Sequence, residues 1–151
     1  MPNDQAGPQG TFVGPEPNST QVSSFQIQVT NAPYFGSGPG VAYVGINSGG
    51  WCYLTSDPGA AASFTGWVDS KDRKFIATPN GWLSYSGTTP YYVGQWPTVS
   101  NDYQAYVAGG TLQLHNGVMC FYSDGSNTWL YNQSQGTVGY TTCAVLPATA
   151  P

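Results

Sequence analysis

Alternating apolar and polar residues predict β-strands along most of this chain. The clearest stretch is 24–30, where Phe25, Ile27 and Val29 alternate with polar residues and indicate one buried and one wet face. Similar short stretches predict further strands over 41–46, 51–55, 64–68, 74–77, 82–85, 102–107, 128–131 and 141–146. Apolar residues nowhere recur at helical spacing over three turns, so the pattern favours an all-β fold.

Turn signals separate these stretches. Asn116-Gly117 predicts a tight hairpin over 111–122, because both central residues of such a turn need positive φ, which Gly adopts freely and Asn tolerates. Residues 57–63 break the strand pattern and suit one helical turn, and residues 86–101 are predicted to form a loop. Short strands with turns at roughly 8–12-residue intervals predict a β-sandwich of antiparallel strands.

A weak internal sequence repeat supports an alternative architecture. Gly followed by alternating apolar residues recurs at 50–54, 81–85 and 110–114, a spacing of about 30 residues. A β-trefoil-like barrel needs such repeats to cover the whole chain, and these do not. The β-trefoil-like barrel is therefore the alternative to the sandwich.

The chain divides into two parts. Residues 1–23 contain four prolines and no apolar periodicity, which predicts a mobile N-terminal arm. Residues 24–151 are predicted to form a single β domain, since 151 residues suit one hydrophobic core.

The charge excludes two classes of partner. Charged residues are 7% of the chain and the net charge is -4. The only basic residues are Lys71, Arg73 and Lys74. Nucleic acid and anionic membranes need many cations, so neither is a predicted partner. No apolar run approaches the roughly 20 residues that span a bilayer.

The composition predicts a secreted, extracellular protein. Lys and Glu are scarce, whereas Tyr, Thr, Ser and Gly are abundant. The first residues do not form a signal peptide, so we expect the sequence to begin after a removed signal. Two sequons predict N-glycosylation at Asn18 and Asn132, as in a glycoprotein.

Three cysteines predict one disulfide and one free thiol. Cys120 and Cys143 are the predicted pair, because their bond would tie the central hairpin to the final strand. The closed loop has about 20 residues, and such a bond contributes on the order of 3 kcal/mol. Cys52 is predicted to be a buried small hydrophobe, since no base lies beside it to make it a nucleophile.

No motif names a reaction, a metal or a cofactor. The single histidine, His115, is predicted to lie in an exposed turn, and no zinc-ligand spacing is present. Calcium at Asp69 and Asp72 is disfavoured by the intervening Lys71. A glycoside hydrolase usually needs two carboxylates, and Asp69 with Asp102 is the pair that a hydrolase would use.

The aromatic residues, 15% of the chain, carry the strongest functional signal. Tyr34, Tyr91, Tyr92 and Trp96 lie in stretches rich in Gly and Pro beside amide side chains. Rings offer flat apolar faces to sugars, and amides offer partners to hydroxyl groups. These four residues are the predicted carbohydrate-binding site. The alternative is that their rings close the open ends of the sandwich.

The order of these elements resembles the phialide-type cell-wall proteins secreted by fungi. The similar stretches are 25–29, 50–54, 63–67, 112–120, 128–131 and Cys143. The resemblance covers 24–68 and 103–146, and Phe121 stands where that family has proline after cysteine. It implies a non-enzymatic, β-rich wall protein with a late disulfide.

The predicted function is therefore that of a non-catalytic cell-wall or surface protein. It would act by adhesion to polysaccharide or by self-association. The alternatives are a lectin-like carbohydrate-binding module that uses the loop aromatics, a small secreted polysaccharide hydrolase, and a secreted effector that binds a host protein.

Overall fold

The structure is a computed structural model that describes residues 14–15, 18–32, 40–85, 92–99, 102–132 and 140–141. Within these residues a single 3-10 turn, Pro58–Ala60, lies at the predicted break. No helix among them is long and apolar enough to cross a membrane. The described strands are β1 Thr20–Phe25, β2 Gln28–Ala32, β3 Gly40–Ile46, β4 Cys52–Thr55, β5 Phe64–Val68, β6 Lys74–Thr78, β7 Gly81–Tyr85, β8 Val93–Trp96, β9 Ala105–Ala108, β10 Thr111–Leu114, β11 Met119–Ser123, β12 Thr128–Asn132 and β13 Tyr140–Thr141.

Antiparallel pairing joins these strands into two large sheets and a hairpin. The five-stranded sheet has the order β1-β5-β6-β7-β8, and the six-stranded sheet has the order β13-β11-β12-β4-β3-β2. Strands β9 and β10 form the hairpin. The predicted all-β sandwich of antiparallel strands is confirmed. Two packed sheets organise the chain, rather than the threefold repeat of a trefoil.

An apolar core fills the space between the sheets. It consists of side chains that each strand directs inward, because alternate residues of a strand point to opposite faces. Fully buried members from the two sheets and the hairpin are Phe64, Ile76, Leu83, Val93, Val44, Phe121, Leu130 and Ala105. Burial of these side chains is the main favourable term for folding.

One stretch of chain supplies a strand to each large sheet. β1 pairs with β5 and β2 pairs with β3, with a change of sheet between them. Phe25, Ile27 and Val29 are all buried, so the predicted alternation holds through the bend. Because β1 begins at Thr20, the predicted boundary of the arm at residue 23 is wrong. Residues 1–13 lie outside the described part of the chain.

The hairpin predicted over 111–122 is wrong. β10 pairs with β9, whereas β11 pairs with β12 and β13. Gly109 and Gly110 make the actual turn with φ values of 60° and 76°, which suit a two-residue hairpin. Asn116 also has positive φ, at 59°, but its turn leads across to β11. Both dipeptides could have supplied a two-residue turn, but only Gly109-Gly110 has positive φ at both positions, and pairing in the sheets decided between them.

The loop predicted over 86–101 contains strand β8, which pairs with β7 at the edge of the five-stranded sheet. The start of β8 also reaches the other sheet, since two isolated bridges join Tyr92 to Tyr131 and Gly94 to Trp51. The Gln95 N–H donates to the Gly50 carbonyl at 2.7 Å. The two sheets are therefore connected along β8.

Candidate functional site

The side of the six-stranded sheet that faces away from the core is aromatic. On β4, β11 and β12 the inward residues are Cys52, Leu54, Met119, Phe121 and Leu130. The residues between them form a second cluster, which we call the aromatic cluster. Its buried members are Trp51, Tyr92, Cys120, Trp129 and Tyr131, and its half-buried members are Tyr53 and Tyr122.

Three of these aromatic residues lie in one cross-strand register. Tyr122 pairs with Trp129, and Trp129 pairs with Tyr53. We call these three residues the aromatic row. The next strand places Gly45 opposite Tyr53. Since neighbouring strands lie about 4.8 Å apart, the backbones of Tyr122 and Tyr53 are separated by roughly 10 Å.

Gly45 lets the ring of Tyr53 lie against the sheet. A Cβ atom at position 45 would lie 3.0 Å from Cε1 and Cζ of Tyr53, and 3.1 Å from the Ala60 carbonyl oxygen. Only a residue without a side chain leaves this space for the ring. One side of the half-buried Tyr53 ring therefore packs on the backbone, and its exposed part faces away from the sheet.

Trp129 is the buried member of the row, and its contacts fix its orientation. Its side chain is 1% exposed. The indole Nε1 donates to Oδ2 of Asp124 at 2.9 Å, and the ring lies edge to face with Tyr53 at 6.3 Å between centroids. Both the hydrogen bond and the ring contact fix the orientation of Trp129. The ring of Tyr92 also packs against Trp129 and Tyr122, at 6.4 Å and 6.1 Å between centroids. Tyr53 and Tyr122 are the half-buried members of the row.

Asp124 brings a charged acceptor to the edge of the row. Burial acts to raise the pKa of Asp124, but hydrogen bonds from the Asn127 and Ser126 N–H groups and from the Trp129 indole outweigh it and lower the pKa. The carboxylate is therefore ionised at neutral pH, and it accepts hydrogen bonds without donating them.

Tyr92 does not present its ring to solvent, in contrast to its predicted role in sugar stacking. It is 5% exposed, and its ring centroid lies 5.0 Å from that of Tyr131 and 5.9 Å from that of Trp51. Burial and the neighbouring tyrosines raise its pKa. Tyr92 is thus a packing residue of the aromatic cluster. Tyr34 and Tyr91 lie outside the described residues.

Trp96 is half-buried and extends the aromatic surface onto the five-stranded sheet. Its indole N–H donates to the Ser84 carbonyl at 3.0 Å, and its ring lies 6.4 Å from that of Trp51. Trp82 pairs with Trp96 across β7 and β8. We call the aromatic cluster together with the outward rings of the five-stranded sheet the aromatic belt, whose added members are Trp67, Phe75, Trp82 and Trp96.

Asp69, one of the two carboxylates predicted for a hydrolase, is held within its own turn. Asp69 accepts backbone N–H groups of Lys71 and Arg73, each at 2.9 Å, and an ion pair from Arg73 Nε at 2.6 Å. Burial acts to raise the pKa of Asp69, but these hydrogen bonds lower it. A general acid needs a raised pKa, so Asp69 is unsuited to that role. Asp102 is exposed, and its carbonyl accepts from Asn116.

Two of the cysteines are buried free thiols. Cys52 lies in the core, and Cys120 lies in the aromatic cluster with its Sγ 3.4 Å from the Tyr131 carbonyl oxygen. Burial raises the pKa of each thiol to about 12, which keeps both protonated and unreactive. The structure shows Cys120 as a free thiol, without the predicted bond to Cys143, and Cys143 itself lies outside the described residues.

The two sequons differ in access. Asn18 is exposed with φ of 70°. Asn132 is 8% exposed, and its side-chain oxygen accepts from the Val118 N–H at 2.9 Å. The folded chain therefore leaves room for a glycan on Asn18 but not on Asn132. His115, predicted as exposed, is half-buried beside Tyr106. Among the described residues, no three His, Cys, Asp or Glu side chains are grouped as a metal site.

The members of the aromatic row were assigned to strands but not to a site. The sequence does contain a signal for this surface, in the kinds of residue that occupy alternate positions of each strand, which we call the two parities. In 51–54, 119–122 and 129–131, residues without a polar ring atom occupy one parity of the strand, and Tyr or Trp occupy most of the other. Such a strand is apolar on both faces, with the rings that carry polar atoms on one of them.

Comparisons with protein-family models, with curated proteins and with solved structures find no match for this chain. The resemblance to phialide-type cell-wall proteins therefore stays a prediction.

Proposed function

We propose that this chain is a non-catalytic extracellular surface protein that binds polysaccharide through the aromatic row. The observation that carries the proposal is the placement of Tyr53 and Tyr122, two half-exposed rings in register on either side of the fixed Trp129. Sugar rings present apolar C–H faces that pack on aromatic rings. The ionised Asp124 supplies an acceptor for sugar hydroxyl groups beside them.

The site is ordered before it meets a ligand. Gly45 holds the Tyr53 ring against the sheet, and Asp124 holds Trp129 below. A preorganised site loses little side-chain entropy on binding, so more of the contact energy is retained as affinity. Side chains on strands are also positioned more accurately than side chains on loops. This favours the row over the loop aromatics as the binding surface.

Binding without catalysis agrees with the state of the carboxylates. Asp69 and Asp124 both have lowered pKa values, because each accepts several hydrogen bonds. Glycoside hydrolysis usually needs one carboxyl with a raised pKa to protonate the leaving group. Neither Asp69 nor Asp124 supplies that proton donor.

Self-association is the weaker of the two modes of action. Open sheet edges are the usual route to strand pairing between copies. β1 and β2 are edge strands, and both carry irregular register, at 21–23 and at 29–32. Bulges on edge strands hinder pairing with another chain. The aromatic row lies on a sheet face, where polysaccharide can reach it without pairing of backbones.

Pull-down on insoluble chitin, β-glucan and cellulose tests the proposal. We expect binding to at least one polymer, and Tyr53→Ala and Tyr122→Ala to weaken it about tenfold each, because truncation of an aromatic anchor costs about 1.4 kcal/mol or more. Tyr106→Ala is the matched control, a half-buried tyrosine on β9 outside the row. Trp96→Ala tests the loop-aromatic alternative in the same assay.

The outcomes separate the alternatives. Loss of binding only in Trp96→Ala would move the site to the five-stranded sheet. Binding that is equal in all four variants would refute the aromatic row. If no polymer is bound, and light scattering shows a dimer or larger species, self-association replaces adhesion.

A positional variant sharpens the test. Gly45→Ala keeps every aromatic residue but brings a methyl group to within 3.0 Å of the Tyr53 ring, which must then move. We expect weaker binding, together with a loss of about 1 kcal/mol in stability, because the methyl group also lies 3.1 Å from the Ala60 carbonyl oxygen. Unchanged affinity in Gly45→Ala would show that the orientation of Tyr53 is unimportant.

A further inference from the structure

A cavity opens between the five-stranded sheet and β9, at a distance from the aromatic row. Its volume is about 220 Å³. Phe25 and Ile76, 7% and 1% exposed, are among the buried residues that line it, and both belong to the core. Other apolar side chains of the lining are Val22, Val68 and Val107, together with two belt residues, Trp67 and Phe75. The cavity is therefore an apolar cleft that continues the core to the surface.

Of the described residues that line this cleft, Lys74 is the one with a charge. It pairs with Val68 across β5 and β6, and its side chain is exposed. Among the described residues Lys74 makes no ion pair, whereas the neighbouring Arg73 is paired with Asp69. An ammonium group beside an apolar cleft is complementary to a ligand with one negative charge and an apolar body.

We propose that this cleft binds a small amphiphilic carboxylate, a medium-chain fatty acid. The carboxylate contacts the Lys74 ammonium group, and the alkyl chain lies on Phe25 and Ile76. Burial of the chain removes apolar surface from water on both partners, which is the main source of affinity. The site is independent of the aromatic row, because Ile76 belongs to the inter-sheet core and the row lies on the opposite face of the other sheet.

The volume limits the size of the ligand. At about 30 Å³ for each water molecule, 220 Å³ corresponds to roughly seven waters. Cavities for drug-sized ligands are larger, about 300–1,000 Å³. An alkyl chain of the length of octanoate suits the cleft, whereas a long-chain fatty acid does not fit inside it.

Gly66 keeps the cleft open. A Cβ atom at position 66 would lie 3.5 Å from Phe25 Cε1 and 3.8 Å from the Ser23 Oγ, which is ordinary contact. A side chain added here is therefore sterically accepted by the backbone and extends into the space above Phe25. Gly66→Leu fills the cleft, and Gly66→Ala occupies little of it.

Calorimetric titration of the full chain with octanoate and with 1-octanol tests the assignment. We expect saturable binding of both, with octanoate about threefold tighter, the value of one exposed charge pair. Lys74→Gln should make the two affinities equal, whereas Lys71→Gln, the exposed control, should change neither. Gly66→Leu should abolish binding of both ligands, with circular dichroism verifying its fold.

Each contrary result would overturn one named part of the proposal. Absence of saturable octanoate binding would overturn the proposal. Unchanged octanoate binding in a folded Gly66→Leu variant would exclude the cleft as the site. An unchanged preference for octanoate in Lys74→Gln would exclude Lys74 as the partner of the carboxylate, and this variant is informative even if Gly66→Leu does not fold.

Discussion

The core between the sheets and the aromatic belt outside them are both apolar, yet they are built differently. In the part of the chain that the structure describes, the 18 buried residues of the core include Tyr85 and no tryptophan. All five tryptophans lie in the belt, namely Trp51, Trp67, Trp82, Trp96 and Trp129. The core is held by burial, which has no preferred direction. The belt is held by ring geometry and hydrogen bonds, which do.

The difference is visible in how polar atoms are treated. Trp129 and Trp96 each direct an indole N–H to an oxygen, of Asp124 and of Ser84. Rings with a polar atom suit a surface, because one end is apolar and the other can bond. Hydrogen bonds therefore orient Trp129 and Trp96 in the belt, although the buried indole N–H of Trp51 has no partner among the described residues. In the core, the Tyr85 hydroxyl donates to the His115 carbonyl at 2.7 Å, and the other buried members are without ring polar atoms. Orientation is what a binding surface requires and what a core does not.

Truncation should separate the two regions most clearly. Phe64→Ala removes a ring that is 0% exposed in the core, and we expect a loss of about 3–5 kcal/mol in the free energy of unfolding. Trp96→Ala removes a half-buried ring of the belt and should cost about 1–2 kcal/mol. Urea denaturation monitored by circular dichroism measures both. Equal losses would show that the belt is as structural as the core.

Glycine substitutions test the close ring contacts of the belt. A Cβ atom at Gly94 would lie 2.9 Å from both the Gly50 carbonyl oxygen and Trp51 Cε3, so Gly94→Ala should cost about 1–3 kcal/mol. Gly66→Ala, on the same sheet with 3.5 Å to its nearest atom, should cost less than about 1 kcal/mol. Thermal unfolding compares the two. A smaller loss for Gly94 would contradict the contact between Trp51 and β8.

As the pH is lowered, the contribution of the aromatic belt to stability should decrease before that of the core. The folded pKa of Asp124 is lowered, so its contribution to stability is present above the unfolded pKa of about 3.9 and is lost as the pH falls through the folded value. Asp124→Asn should lower stability at pH 7 and flatten the loss below about pH 4. Urea midpoints from pH 7 to pH 2 measure this, and Asp57→Asn, an exposed turn carboxylate, is the control. Identical acid profiles for wild type and Asp124→Asn would refute the role of Asp124.

The smallest expected difference between the two regions is in the labelling of their cysteines, because each region contains one buried thiol. Cys52 and Cys120 both have pKa values raised to about 12, so iodoacetamide at pH 8 should label neither in the folded protein. After unfolding without reductant, peptide mapping should find Cys52 labelled. Labelling of Cys120 and Cys143 in the same sample would refute their predicted disulfide. Rapid labelling of native Cys120 would show that the belt opens where the core does not.

Local patterns predicted most of the strands. Alternation over 24–30 identified the buried face, and the strand at 64–68 has the bounds that the sequence predicted. The pattern failed where two solutions were locally equal, as at Gly109-Gly110 and Asn116-Gly117. It also failed for β8, whose short sequence has little alternation because it pairs near the junction of the sheets.

The candidate site could be predicted only in part. An aromatic surface was predicted at Tyr92, whose ring is buried, whereas the row that we propose at Tyr53 and Tyr122 was predicted only as parts of strands. The row depends on the pairing of β4 with β12, two strands far apart in sequence. Such non-local pairing is not encoded in any short window, because the tertiary fold brings these strands together.

The change of sheet between β1 and β2 has a mechanical consequence. A surface protein anchored through its N-terminal segment would carry tension into β1, which has β5 as its neighbour in the sheet. Peeling β1 from β5 would release only about 3.3 Å of chain for each residue. The pull would then reach Gln26 and act on β2, which belongs to the other sheet and is bonded to β3. Extension of 20–32 therefore strains both sheets one after the other, so the bend would act as a stop against forced unfolding.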